Sequence, residues 1–263
     1  MIGDAELARR LESFQAAVGA EMADALNRVD PTVKAATLAV GDGAAVFAGA
    51  GSPLTQATGA DRDVELMQSF FFEHRADSII QVNPWSPPVF MDALTARQYR
   101  IHEFENVFGL AIKPVEYSAF PKVEVFEIEE SDIPTWARIG AEAFASEEMS
   151  VDFLVRVMTP FAYVKHARCY IAYVDGEPAG SAAMFALQDR KVAGLFGAGT
   201  RERFRKRGVQ SALLQRRLAD AGNSGCDIAM VTTLPGSASH RNVARRGFEL
   251  LYTKISMRLP FSS

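Results

Sequence analysis

The chain has 263 residues, with 48% apolar and 23% charged residues and a formal net charge of −4. That mixture is typical of a globular protein with ample core, and the length accommodates two domains. The acidic balance argues against nucleic acid as a partner, because phosphate binding calls for a basic surface.

The first stretch, Ala5 to Asn27, predicts a helix, since Leu7, Leu11, Phe14, Val18, Met22 and Leu26 recur at spacings of three and four. It is charged and lacks the apolar run of a signal peptide. No segment approaches the ~20 apolar residues of a membrane span. Cys169 and Cys226 are the sole cysteines and suggest no disulfide framework. These features together predict a cytoplasmic protein with no membrane partner.

Strands are expected near Ala35–Val40 and Ala44–Ala48. Asp61 is a candidate cap for a helix running to Arg75. Ile79–Val82 reads as a strand, Val89–Arg97 as a helix and Ile101–Phe108 as a strand. Two prolines and no helical pattern between Lys113 and Lys122 mark a linker. The expected domains are therefore 1–118 and 122–263.

A second pass follows. Val123–Ile128 is a predicted strand, Asp132 a cap for a helix to Ala145, and Val151–Met158 a short helix. Strands are predicted at Tyr170–Val174, Pro178–Leu187 and Val192–Gly199, the first two joined by a hairpin at Asp175-Gly176. The chain then alternates: helix to Ala221, strand Ile228–Val231, helix Ala238–Arg246, strand Phe248–Met257. The two halves align without a gap at an offset of 149 residues, which pairs Val46-Phe47 with Leu195-Phe196, Gly59 with Gly208, and Ile79 with Ile228. That order suggests an internal duplication.

The stretch from Val192 to Leu214 carries the most chemistry. An apolar strand ends in Gly197, Ala198 and Gly199, and Thr200 follows. A basic loop follows, with Arg201, Arg203, Arg205, Lys206 and Arg207, and Gly208 then opens a helix through Val209, Gln210 and Ser211. A helix N-terminus offers unpaired amides and a partial positive charge, which suits a phosphate. Gly208 admits close approach of a ligand to the backbone, and the cations add attraction.

Arg205-x-x-Gly208-x-Gln210 resembles the Arg/Gln-x-x-Gly-x-Gly/Ala loop of GNAT acyltransferases. The stretch Thr232–Tyr252, with its Gly247-Phe248 turn, is similar to the last strand–helix–strand of that family. The resemblance implies tandem mixed α/β domains, each a twisted, mostly antiparallel sheet flanked by helices. It implies acetyl-CoA as co-substrate, with its pyrophosphate on the amides of Lys206 to Ser211. Ala198, Gly199, Thr200, Arg205 and Asn242 complete the expected contacts, and Ser237 and Ser239 are candidates for the pantetheine arm. Gln210 replaces a small residue, so its side chain is expected to turn outward.

The N-terminal echo Gln56-x-x-Gly59-x-Asp61 lacks the basic cluster, and a carboxylate stands where phosphate would lie. This half reads as a degenerate copy that no longer binds CoA.

In the family, a tyrosine four residues before the Gly-Phe turn often protonates the leaving thiolate. Val243 occupies that place, and Val192–Gly199 carries no acidic base. The general acid is unassigned, with Tyr252 and His240 as candidates. Glu147 and Glu148 are candidates for a cationic acceptor. No metal-ligand spacing is present. The expected reaction is acetyl transfer from acetyl-CoA to a primary amine of a small molecule or peptide, by a chain compatible with homodimerisation. The alternative is a non-catalytic acyl-CoA-binding or sensing module.

Overall fold

The structure is a computed structural model that describes every residue except Met1, Ile2, Ala119, Glu148 and Ser263. The chain divides into two compact units: Met1–Leu110 with Met230–Ser263, and Ala111–Ala229. The sequence division at the linker therefore differs from the spatial one, because the last strand and helix pack with the first half.

In the first unit, helix α1 spans Ala5–Val29 and is capped by Asp4, whose carboxylate accepts from the Leu7 amide. Its buried stripe of Leu11, Phe14, Val18, Met22 and Leu26 is the one the spacing predicts, and it packs on strands β1 (Ala36–Val40), β2 (Gly43–Phe47) and β3 (Gln56–Thr58). Helix α2 (Val64–Glu73), strand β4 (Ser78–Val82), helix α3 (Pro88–Ala96) and strand β5 (Arg100–Ala111) follow. Ile80 and Val82 of β4 turn away from α1 into a core with Met67, Phe71, Phe90 and Leu94 of α2 and α3. Alternation along β4 thus serves both faces of the sheet.

The second unit begins with β6 (Glu124–Glu127), helix α4 (Ile133–Phe144) and helix α5 (Val151–Met158). An antiparallel meander follows: β7 (Ala167–Val174), β8 (Glu177–Leu187) and β9 (Val192–Thr200). Asp175 and Gly176 both have positive φ, 53° and 77°, as a two-residue type I′ hairpin requires. Trp136 and Ile139 of α4 pack on Cys169 and Ile171 of β7. On the other face, helix α6 (Val209–Asn223) is tied to the sheet by Asp220, which accepts from the Tyr170 hydroxyl at 2.8 Å. Burial pushes the Cys169 thiol up to about 12 and the Cys226 thiol up to about 11, so both stay protonated apolar packing.

Strand β10 (Ile228–Thr233), helix α7 (Ala238–Ala244) and strand β11 (Glu249–Leu259) end the chain. Strand β11 lies between β4 and β5, antiparallel to both, and β5 in turn neighbours β10. Each half of the sequence has thus given its final strand to the penultimate strand of the other. The register supports duplication: Arg100 pairs with Arg258 and Gly109 with Glu249, and the 149-residue shift maps this pairing onto itself.

The shift does not hold along the whole chain. From α2 onward it places each element on its counterpart from α6 onward. Upstream it fails, because the strand directly ahead of α2 is β3, which pairs antiparallel with β2 and parallel with β4. The counterpart of β9 is therefore β3, not β2, and the first half has a shorter strand-to-helix loop. Gln56 lies in that strand rather than in a loop. Asp61 caps nothing: α2 starts at Val64, its cap residue Asp63 makes no side-chain bond, and Asp61 pairs instead with Arg62.

Candidate functional site: a glycine-started helix beside a bulged strand

The β9–α6 connection lies within the second unit. Two residues of β9, Gly197 and Ala198, oppose Ala182 alone on β8, because the register steps from Ser181↔Gly199 to Ala183↔Phe196. This is a β-bulge, and Gly197 has the positive φ (56°) that a glycine-first bulge demands. A bulge leaves an extra residue outside the ladder and bends the strand, so a backbone amide is released there. Trp136 supports the opposite side, its Nε1 donating to the Ala182 carbonyl at 3.0 Å. Arg217 is fully buried under the same strand and donates to the Ala183 carbonyl at 3.2 Å, and burial lowers its guanidinium to about 10. At neutral pH it remains a cation.

Helix α6 begins at Gly208, with φ of 86° and no side-chain cap. Its first intrahelical bond runs from the Ala212 amide to the Gly208 carbonyl, 3.0 Å. The Val209 and Gln210 amides lie ahead of it and have no intrahelical acceptor. Two close approaches bring the helix start to its position. A Cβ on Gly180 of β8 would lie 2.5 Å from Val209 Cγ1, and one on Gly208 would lie 2.6 Å from Phe120 Cε1. The space beside Gly208 is thus filled by the Phe120 ring, so glycine is required by both sterics and φ.

The basic cluster is less free than its sequence suggests. Arg201 pairs with Glu142 at 2.7 Å, Arg203 with Glu177 at 2.6 Å and Arg207 with Asp175 at 2.6 Å. Arg205 sits 3.7 Å from Glu202 with more than half its side chain exposed. Among the described residues Lys206 has no carboxylate partner; it takes a left-handed φ of 65°. The cations left for an anion are Lys206 and Arg205. The Gln210 side chain does not turn outward: its Nε2 donates to Thr200 Oγ1 at 2.9 Å, which ties the helix start to the end of β9.

The remaining expected residues divide between the units. Ala198, Gly199 and Thr200 stand on β9, and Ser211 in the first turn of α6. Asn242, exposed on α7, belongs to the first unit, as do His240 and Tyr252. Ser237 acts as the α7 cap, accepting from the His240 amide. Asn106 donates its amide to His240 Nδ1 (3.1 Å) while its own oxygen accepts from Thr253, so Nδ1 is an acceptor. Tyr252 is buried and donates to Glu12 at 2.7 Å. Burial and then the Glu12 carboxylate push its phenol far above the usual value. Glu147 is exposed between α4 and α5, and Glu148 lies outside the described residues.

The bulge and the glycine cap of α6 were partly visible in the sequence as a Gly-Ala-Gly run and Gly208. The contributions of Glu142, Trp136 and Phe120 were not, because each reaches the site from a distant segment.

In the first unit the segment ahead of α2 is acidic where the β9–α6 connection is basic. Asp61 and Asp63 stand there, and the one cation, Arg62, is paired. Gly59 is hemmed in, with the Glu12 carbonyl 3.2 Å from where a Cβ would stand.

Residues 127–248 match the model of the Acetyltransferase (GNAT) family. No curated protein matches the sequence. Among solved structures, a GCN5-related N-acetyltransferase from Kribbella flavida is similar with a TM-score of 0.64 and 16% identity, over 93% of this chain and 96% of that one. A tandem GNAT protein from the clavulanic acid biosynthesis pathway, solved without AcCoA, is similar over 100% of this chain and 98% of its own, with a TM-score of 0.59 and 12% identity. At such identities the likeness concerns the fold. The chain therefore has the fold of a tandem GNAT protein, and its residues 127–248 match the acetyltransferase family model.

Proposed function

We propose that the chain transfers an acetyl group from acetyl-CoA to a primary amine of a small molecule or peptide, with the second copy, 122–263, as the catalytic one and 1–118 as its degenerate partner. The observation that carries this reading is the pairing of an uncapped helix start at Gly208 with a bulge at Gly197 on the strand that leads into it. The residues fit the co-substrate. The Val209 and Gln210 amides and the charges of Arg205 and Lys206 would hold its diphosphate. The bound thioester supplies an activated acetyl group. The bulge amide would polarise its carbonyl, a donor already fixed in place before reaction.

Orientation then carries most of the rate, since no acidic residue stands on β9 and Val243 offers no proton. Water is the proposed proton source for the thiolate. Tyr252→Phe is expected to leave kcat within about twofold, and His240→Ala to be equally mild. Tyr252→Phe should instead cost about 1 kcal/mol of stability, because the buried Glu12 carboxylate loses a donor. A ~10²-fold fall in kcat with acetyl-CoA affinity intact, in either variant, would assign the acid to that residue.

The test of the whole reading is a screen of primary amines with acetyl-CoA, followed by release of free CoA thiol. Saturable release with at least one amine is expected. Tight acetyl-CoA binding with no release for any amine would favour the acyl-CoA sensing module instead.

A further inference from the structure

The first unit contains a cavity of about 360 Å³ on the α1 face of its sheet, and no residue of the β9–α6 connection lines it. Its rim is the loop Gly51–Thr55, and its floor is made by Gln56 of β3, Ile79 of β4, Glu103 of β5 and Ser256 of β11. The volume suits a molecule of amino-acid to amino-sugar size.

Three features show that the cavity is arranged for a ligand. The first is a bulge. The β5–β11 register steps from Glu103↔Ser256 to Ile101↔Met257, leaving His102 as the extra residue. Neighbouring strand residues ordinarily point to opposite faces. Here both His102 and Glu103 line the same cavity, which a bulge permits. The second is Ser256: it is 4% exposed, lines the cavity, and among the described residues its hydroxyl has no partner. A buried polar group is normally satisfied, so an unpartnered one at a cavity wall marks a place for a ligand atom. Glu103 and Gln56 likewise have no partner among the described residues.

The third feature is charge. Asp77 and Glu103 stand in the cavity wall with one cation, Arg258, and Arg258 is engaged by Asp77 through both Nε and Nη2. Two residues further along the same strands, and hence on the same face, lie Thr58, Gln81, Glu105 and Lys254. In this buried layer Lys254 is 3.7 Å from Glu12 and 3.5 Å from Glu105. Each layer therefore has two carboxylates to one arginine or lysine, an excess of acidic groups around the cavity.

We infer that this cavity is a binding site for a small polar molecule bearing a protonated amine, with Glu103 as the ammonium acceptor and the Ser256 hydroxyl and Gln56 amide as its neutral partners. The site is separate from acetyl transfer and does not rest on it.

The test uses the full chain without acetyl-CoA, titrated calorimetrically with ethanolamine, putrescine, glucosamine and L-lysinamide, each beside the form in which every amine is N-acetylated. At least one free amine should bind with a Kd of about 1 mM or lower, and its N-acetyl form about tenfold or more weakly. Glu103→Gln should weaken that amine by about tenfold or more. Glu103 is exposed, so this variant should melt as the parent does, and it carries the test even if Ser256→Ala proves unstable. The same binding should persist in Gly208→Glu, which separates this cavity from the acetyl-CoA loop. No binding by any of the four amines, equal binding of the N-acetyl forms, or binding unchanged by Glu103→Gln would each overturn the inference.

Discussion

Gly208→Glu should raise the acetyl-CoA Kd by more than about 100-fold, measured by calorimetry. Three effects add. A carboxylate at the start of α6 opposes the diphosphate and competes for the Val209 and Gln210 amides. The φ of 86° disfavours any L side chain by about 1–2 kcal/mol. A Cβ would also lie 2.6 Å from the Phe120 ring, so either the ring or the helix start must move. Gly208→Ala separates charge from shape: it should weaken binding less, and Phe120→Ala in the same chain should recover part of that loss. Asp61→Asn is the control and should leave acetyl-CoA binding unchanged, with one site per chain. Two sites per chain would show that the first half still binds.

The second large effect concerns stability. Lys254 is 2% exposed, and its ammonium donates to Gln15 at 2.7 Å and Gln81 at 2.8 Å while lying between Glu12 and Glu105. Gln81 passes the link on, donating to Glu105 at 2.8 Å and accepting from Thr58 at 2.8 Å. Lys254→Met keeps most of the volume but strands two carboxylates beside an apolar chain. Removing one partner of a buried ion pair costs about 3–5 kcal/mol, far more than an exposed pair would. Urea unfolding at neutral pH should show a loss of that size, and Glu12→Gln in the Lys254→Met background should return part of it. A loss below about 1 kcal/mol would mean that the network is solvated and contributes little.

The alternating pattern of the chain was readable because each element carries its own signal. The α1 stripe, the Asp175-Gly176 turn and the β9–loop–α6 order depend on nearest neighbours, and the structure has them. Strand β3 was missed because Gln56-Ala57-Thr58 is too short for a period-two pattern, and its pairing comes wholly from β2 and β4. The gapless offset was wrong upstream of α2 for the same reason. It matched apolar residues, whereas strand direction is set by pairing. At the site, the basic run overstated the free charge, since Glu142, Glu177 and Asp175 approach it only after folding. The outward turn of Gln210 failed because Thr200 offers a hydroxyl that a local reading of the loop cannot see.

The place of β11 between β4 and β5 also sets the order of assembly. The first unit joins Met1–Leu110 to residues made more than a hundred positions later, and its sheet is interrupted until β11 has been made. Until then β4 and β5 present unfilled edges, each a template for mispairing. Contacts of such sequence separation are slow to form, because loop closure precedes their reward. The second unit is contiguous and has no such wait. The nascent chain is therefore most exposed to aggregation while β4 and β5 await β11, and cutting it at the linker separates two strands from the neighbours that complete them.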